Sequence, residues 1–241
     1  MNELLHLLNV NTIFITILGY HMSYVEFFGT IFNLWSVWLV ARKNIWNWPV
    51  GIIGVILFFA LFYQIHLYAD QFEQLYFFIT GFWGWYAWYI NNKKHEAKDD
   101  EDLYVERNSK RANVYWLIGV IAFSCFTTWV LTHVNVWWPR FFPEPASLPV
   151  VDATTTVMSF AATILMIRRR VENWHIWIAV DVVSIWLYVK KGVPFVALLY
   201  VVFLGLAIQG LIIWKRAYKK QEVSHGKRTS DRQVLPTTQR P

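Results

Sequence analysis

The strongest constraint on this chain is that its two halves repeat one another. Displaced by 126 positions and laid on itself without gaps, the sequence brings Glu26 onto Asp152, Arg42 onto Arg168 and Lys43 onto Arg169. Asn47 and Trp48 fall on Asn173 and Trp174, Gly84 on Gly210 and Trp88 on Trp214. Asn, Trp and paired cations are costly or rare in apolar stretches, so a run of such matches is not chance. A fixed offset between halves marks an internal structural repeat. In a membrane protein, repeats of this kind most often build a transporter whose site lies where the halves meet.

The matching stretches are membrane-like. Charged residues make up 16% of the 241, and 56% are hydrophobic, whereas a soluble domain carries about a quarter charged residues. A helix crossing the hydrocarbon core needs ~20 mostly apolar residues. Seven segments meet that need: 22–41, 47–66, 70–90, 113–133, 148–167, 173–189 and 194–214. None alternates in polarity as a barrel strand would, so the expectation is an all-α membrane protein with seven transmembrane helices. Residues 1–21, interrupted by Asn9 and Asn11, read as a peripheral or interfacial helix. The first cation is Arg42, so no basic leader region of a signal peptide is visible. The single Cys125 has no intrachain disulfide partner.

The cations give the orientation. Arg42 and Lys43, the charged segment 91–112, Arg168 to Arg170, and Lys215, Arg216, Lys219 and Lys220 follow spans one, three, five and seven. The gaps after spans two, four and six hold only Arg140, Lys190 and Lys191. The positive-inside rule then places the N-terminus outside and the C-terminus in the cytoplasm. The same distribution accounts for the pI of about 9.4 without a nucleic-acid partner. Two triplets, 22–90 and 148–214, run parallel, and residues 113–133 supply the single inverting span between them. The expected plan is three plus one plus three, with a cytoplasmic loop at 91–112 and a basic cytoplasmic tail at 215–241 whose residues 221–241 are expected to be disordered.

Chemistry concentrates on the sixth span. Asn173, Trp177, Asp181, Ser184 and Tyr188 recur every three or four residues and so share a helix face, with Trp174 beside them. A carboxylate at mid-span costs roughly 2.5–3.5 kcal/mol on insertion scales and must face a cavity or bundle interior. The face reads as a cation site, Trp177 stacking on a flat ring and Asp181 supplying charge. The plainer alternative is a polar contact joining helices. The third span offers Asp70, Gln74, Phe78, Gly81, Trp85 and Trp88 along one stripe; Gln74 can donate and accept, which suits a sugar or amide. Asp70 and Glu73 read more simply as solvated mouth residues, and Gly81 with Gly84 as close helix packing. Asn47, the counterpart of Asn173, either lines the inner end of a path or caps its helix. Gly51 is the counterpart of Trp177 in the other repeat, and an indole facing a glycine is expected to make an asymmetric slot. The seven His show no metal spacing, and no phosphate-binding loop or hydrolase elbow is present. No cofactor is expected.

These residues resemble the PnuC family of bacterial vitamin-precursor transporters. The likeness lies in Asn47-Trp48-Pro49-Val50-Gly51, Leu67-Tyr68-Ala69-Asp70 and Gly84-Trp85-Tyr86-Ala87-Trp88. It continues in Glu172-Asn173-Trp174-His175-Ile176-Trp177, Asp181, Tyr188, Tyr200 and Trp214, and covers roughly 22–216. The resemblance implies facilitated uptake of nicotinamide riboside across the inner membrane, a fold similar to SWEET sugar transporters, and a homotrimer. It places Trp174, Trp177 and Asp181 in the substrate site. Other branches carry thiamine, also aromatic and cationic, or riboflavin, whose ring is uncharged. Asn47, Gln74, Trp85, Asn173 and Tyr188 complete the expected binding set.

The expected mechanism is a uniporter rocking around a midplane site, with accumulation driven by phosphorylation of the entering substrate by a separate cytoplasmic kinase. Two other classes fit less well. A retinal receptor needs a Schiff-base Lys within its last span, and 194–214 has none. A membrane enzyme needs a nucleophile with its base, or a metal set, and neither is visible.

Overall fold

A computed structural model describes residues 8–17, 19–64, 68–96, 104–140, 148–190, 192 and 194–234. The first seven residues, His66, Leu67, part of the 91–112 loop and the last seven residues of the tail lie outside them. Two strands come first, β1 (Ile13–Ile17) and β2 (Tyr20–Ser23), paired antiparallel. Seven helices follow: α1 (Tyr24–Ala41), α2 (Asn47–Gln64), α3 (Tyr68–Glu96), α4 (Lys110–Trp137), α5 (Pro149–Ile167), α6 (Asn173–Lys190) and α7 (Pro194–Val234).

The strands correct the expected N-terminal helix. Ile13, Ile15, Thr16 and Ile17 are β-branched and favour extended backbone, and Gly19 turns the chain at φ 83°. The hairpin is tied to the helices. Gln64 accepts from the Val10 amide at 3.1 Å and donates to the Leu8 carbonyl at 2.8 Å. Tyr20 donates to Glu26 at 2.6 Å and stacks on Phe195 at 4.9 Å. Burial, helped by Glu26, pushes the Tyr20 phenol above its ordinary range, so it remains a donor.

Capping sets the helix bounds. Ser23 accepts from the Glu26 amide and Ser109 from the Ala112 amide, each at 3.2 Å, opening α1 and α4. Pro149 sits in the first turn of α5. Helices α1 and α5 end alike. The Lys43 amide returns to Val40 and that of Asn44 to Leu39; the Arg169 amide returns to Met166 and that of Arg170 to Leu165. This is the Schellman closure, with Lys43 at φ 61° and Arg169 at φ 56° in the left-handed position usually held by Gly. Cations there also suit the negative helix end. Both closures lie 126 residues apart.

The packing follows the repeat. Helix α2 lies between α1 and α3, α6 packs against α5 and α7, α1 meets α7, α3 meets α5, and α4 runs along α5. Among the described residues, five helices are long and apolar enough to cross a membrane: α1, α2, α4, α5 and the Phe195–Ser224 part of α7. Helices α3 and α6, expected as the third and sixth spans, fall outside that set: Asp70, Glu73, Gln74 and a second half rich in Trp and Tyr lower the apolar character of α3, and Asn173, His175, Asp181 and Lys190 that of α6.

Two boundaries differ from expectation. Helix α7 continues to Val234, so residues 221–234 are not an irregular tail. Ala217, Lys219, Lys220, Gln221 and Glu222 are strong helix formers, and Tyr218 donates to Glu222 one turn on at 3.0 Å. The 91–112 segment is likewise more than a loop. Helix α3 runs to Glu96, and residues 104–109 form a strap against the α5–α6 turn. The Glu106 amide donates to Arg169 O and the Val171 amide to Glu106 O, both at 3.0 Å. Arg170 pairs with Glu106 at 2.7 Å, and Glu172 accepts from Arg107 at 3.4 Å and from the Asn108 amide at 3.1 Å.

Candidate functional site

A cavity of ≈ 350 Å³ lies between α1–α3 and α5–α7, within the ~300–1,000 Å³ typical of small-molecule sites. Most of its lining residues come in pairs 126 positions apart. Asn33 is matched by Ser159, Val37 by Thr163, Gly51 by Trp177, Val55 by Asp181, Phe62 by Tyr188 and Gln74 by Tyr200. The halves contribute equivalent positions but different chemistry. Where the first half presents glycine, valine and phenylalanine, the second presents an indole, a carboxylate and a phenol.

Helix α6 aims this chemistry. Stepping three and four residues keeps Trp174, Trp177, Asp181 and Tyr188 on one side of the helix, and all four line the cavity. Asp181 is buried (5% exposed) near the middle of α6. The Tyr188 and Tyr200 rings stack at 5.4 Å, nearly parallel at 15°. Their hydroxyls hydrogen bond, and the Tyr200 hydroxyl also meets Ser184 beside Asp181. Across the cavity, α3 supplies Asp70, Glu73 and Gln74. Among the described residues that line it there is no Lys, Arg or His. The described residues hold no His, Cys, Asp and Glu group fit for a metal.

Of the expected set, Asn47, Gln74, Trp174, Trp177, Asp181 and Tyr188 line the cavity; Trp85 and Asn173 do not. Trp85 is 38% exposed on the outer face of α3. At 100° per residue, Trp85 lies about 60° from Asp70 and about 120° from Glu73 around α3, off the face that lines the cavity. The inward line runs instead through Asp70, Glu73, Phe77 and Gly81. Asn173 is fully buried, and its amide donates to Arg170 O at 2.6 Å. Its twin Asn47 donates to Asn44 O at 2.7 Å, so both amides brace the preceding turn rather than accept as caps. Gly51 and Trp177 both line the cavity. A Cβ at Gly51 would lie 2.8 Å from Ser36 Oγ, so the glycine lets α1 approach α2. Glu73, read as a mouth residue, lies in the cavity wall.

The sequence reading missed Asn33, Ser159 and Thr163. They lie on α1 and α5, and their side chains donate to their own helix: Asn33 to Gly29 O at 2.8 Å, Ser159 to Thr155 O and Thr163 to Ser159 O at 2.9 Å. The available signal was the repeat itself. Asn33 and Ser159 are small polar residues at matching positions of otherwise apolar spans.

The chain also matches known proteins over most of its length. A family model described as nicotinamide mononucleotide transporter matches residues 23–216. The nicotinamide riboside transporter PnuC of Escherichia coli K12 is 32% identical over 211 residues, covering 81% of this chain and 87% of that protein. The riboflavin/roseoflavin transporter RibM of Streptomyces davaonensis is 25% identical over 199 residues, covering 80% and 85%. A crystal structure of the vitamin B3 transporter PnuC is similar with TM-score 0.60 and 27% identity, covering 82% of this chain and 83% of that one. The chain therefore belongs to the PnuC family of multi-pass membrane transporters, and it is not an enzyme.

Proposed function

We propose that this chain carries nicotinamide riboside across the bacterial inner membrane by facilitated diffusion, through the cavity between α1–α3 and α5–α7. The observation that carries this reading is the pairing of Trp177 with the buried carboxylate of Asp181 in the wall of a cavity without cations. Nicotinamide riboside joins a flat, positively charged ring to a sugar. An indole face attracts such a ring by up to ~2 kcal/mol when desolvated, and Asp181 neutralises its charge. Gln74, Tyr188 and Asn47 offer donors and acceptors to the hydroxyls and the amide.

The electrostatics favour the riboside over its phosphate. Glu73 and Asp181 line the cavity, and among its described lining residues there is no Lys, Arg or His. A phosphate dianion entering that lining meets repulsion and loses its hydration without compensation. Riboflavin gains nothing from Asp181, because its ring carries no positive charge.

In this reading α3 and α6 also span the bilayer, giving seven crossings in a three-plus-one-plus-three, SWEET-like plan with α4 as the inverting span. The N-terminus faces outward and the C-terminus the cytoplasm, and the assembly is a lipid-embedded homotrimer. Net accumulation comes from cytoplasmic phosphorylation of the product, after which the cavity no longer accepts it.

The test is calorimetric binding to the purified protein, with riboside/riboside counterflow in liposomes. Nicotinamide riboside should bind and exchange, while the mononucleotide and riboflavin bind at least tenfold more weakly; thiamine, also a flat cation, is the alternative substrate, and tighter binding of thiamine than of the riboside would shift the assignment to it. Equal or tighter binding of the mononucleotide would overturn the assignment. Net uptake that, in the absence of any kinase, collapses with an uncoupler would make Asp181 a proton carrier instead.

A further inference from the structure

Below Asp181, at the end where α2 and α6 begin, the cavity meets a row of four indoles. Trp48 packs edge-on against Trp88 at 5.4 Å and 90°, Trp88 meets Trp214 at 6.1 Å, and Trp214 packs edge-on against Trp174 at 5.6 Å and 83°. Trp48 and Trp174 line the cavity floor. Trp88 and Trp214 lie beyond it with no exposure at all. The row crosses from one triplet to the other, because Trp48 and Trp88 belong to α2 and α3, and Trp214 and Trp174 to α7 and α6.

Each central indole also reaches over to the opposite triplet. Trp88 Nε1 donates to Met166 O on α5 at 3.3 Å, and Trp214 Nε1 to Val40 O on α1 at 3.1 Å. Met166 and Val40 are themselves 126 positions apart. The outer indoles are seated by glycine: a Cβ on Gly84 would collide with the Trp48 ring, and one on Gly210 would lie 2.5 Å from that of Trp174. Among the described residues, no other connection between the triplets joins four large rings and two hydrogen bonds at one level.

The two sides of this row are not held alike. The strap bonds made by Glu106, Arg107 and Asn108 fall on Arg169, Arg170, Val171 and Glu172, and the Val105 amide donates to Gln221 on α7 at 3.2 Å. All of these belong to the second triplet. At equivalent places Val171 is fully buried while Ile45 is half-buried, and Glu172 is 9% exposed while Trp46 is 64% exposed.

We propose that Trp48, Trp88, Trp214 and Trp174 form the gate that closes the cavity at this end, and that it opens by movement of the 42–47 turn against a second triplet fixed by the strap. The proposal rests on the carrier reading, because a gate has meaning only where a solute passes. Opening breaks the two crossing hydrogen bonds and parts Trp88 from Trp214. It leaves the Trp48–Gly84 and Trp174–Gly210 seats intact inside each triplet.

The test reads access rather than transport. In a Cys125→Ser background, Val37→Cys places a thiol in the cavity wall one helical turn from Val40. A membrane-impermeant maleimide is applied to oriented proteoliposomes from the side of residues 42–46. Labelling should be slow in this parent. Trp88→Phe and Trp214→Phe, made separately, keep an aromatic ring but remove the donor. Each should raise the rate about fivefold, the population change set by one buried hydrogen bond. Unchanged labelling in both would overturn the gate.

Spin-label distances test the asymmetry in the same variants. Labels at positions 46 and 216 should separate or broaden, while labels at 168 and 216 hold their distance; the reverse result would overturn the role of the strap. These readouts contain no substrate. Gate opening in a protein that fails to bind nicotinamide riboside would sink the carrier reading alone.

Discussion

At the scale of single residues, the proposed site rests on one carboxylate and one indole that share a helix face and line the cavity. Removing the charge of Asp181 while keeping its shape separates electrostatics from packing. Asp181→Asn should weaken nicotinamide riboside binding by roughly 10- to 150-fold, the ~1.5–3 kcal/mol of a hydrogen bond to a charged group, and leave a neutral aromatic ligand unaffected. Trp177→Ala should cost about 30-fold, from the ~2 kcal/mol of a desolvated cation–π contact. Calorimetry in detergent reads both, and wild-type affinity in either would remove that residue from the site. Asp181 could be read from sequence because a mid-span carboxylate has few places to go. Glu73 was hidden because an acid near a helix end has an ordinary solvated explanation. Trp85 misled because two Trp lie three apart on α3, and only Trp88 faces inward, at 0% exposure.

At the scale of elements, glycines decide how closely the helices of each triplet meet. Helix α7 contains its own control. A Cβ at Gly210 would lie 2.5 Å from Trp174, whereas one at Gly205 meets nothing within 4 Å. Gly210→Ala should therefore destabilise by about 1–3 kcal/mol through overpacking. Gly205→Ala should stabilise by up to ~1 kcal/mol through helix propensity. Apparent melting temperatures in detergent should move in opposite directions, and equal shifts would show that the Trp174 seat does not constrain α7. The long helices were legible from apolar run length, whereas the Ser23 and Ser109 caps that open α1 and α4 were not singled out from the sequence. The hairpin was not, because five residues of β1 are too few for a period and the partners that fix it, Gln64 and Phe195, are distant in sequence. The strap was not either: Glu106, Arg107 and Arg170 read as solvated charge until the fold brings them together.

At the scale of the whole molecule, the repeat made the architecture legible, and its departures carry the chemistry. Turns, indole seats and crossing hydrogen bonds recur at one offset, so the scaffold is shared between halves. The ligand-facing groups do not recur: Asp181 stands where the first half has Val55, and both line the same cavity. This makes the pseudo-symmetry testable by transplantation. Asp181→Val alone should abolish measurable riboside binding. Adding Val55→Asp returns a carboxylate to the cavity from the opposite wall, at the same depth but beside Gly51 instead of Trp177. If the halves enclose one common chamber, the double variant should recover charge-dependent binding but not the full affinity, because the indole remains on α6. Recovery would appear as calorimetric binding of nicotinamide riboside that Val55→Asn in the same background fails to give. Identical behaviour of the Asp and Asn versions would mean that the two walls do not face a common ligand, and the case for a site between the triplets would fail with it.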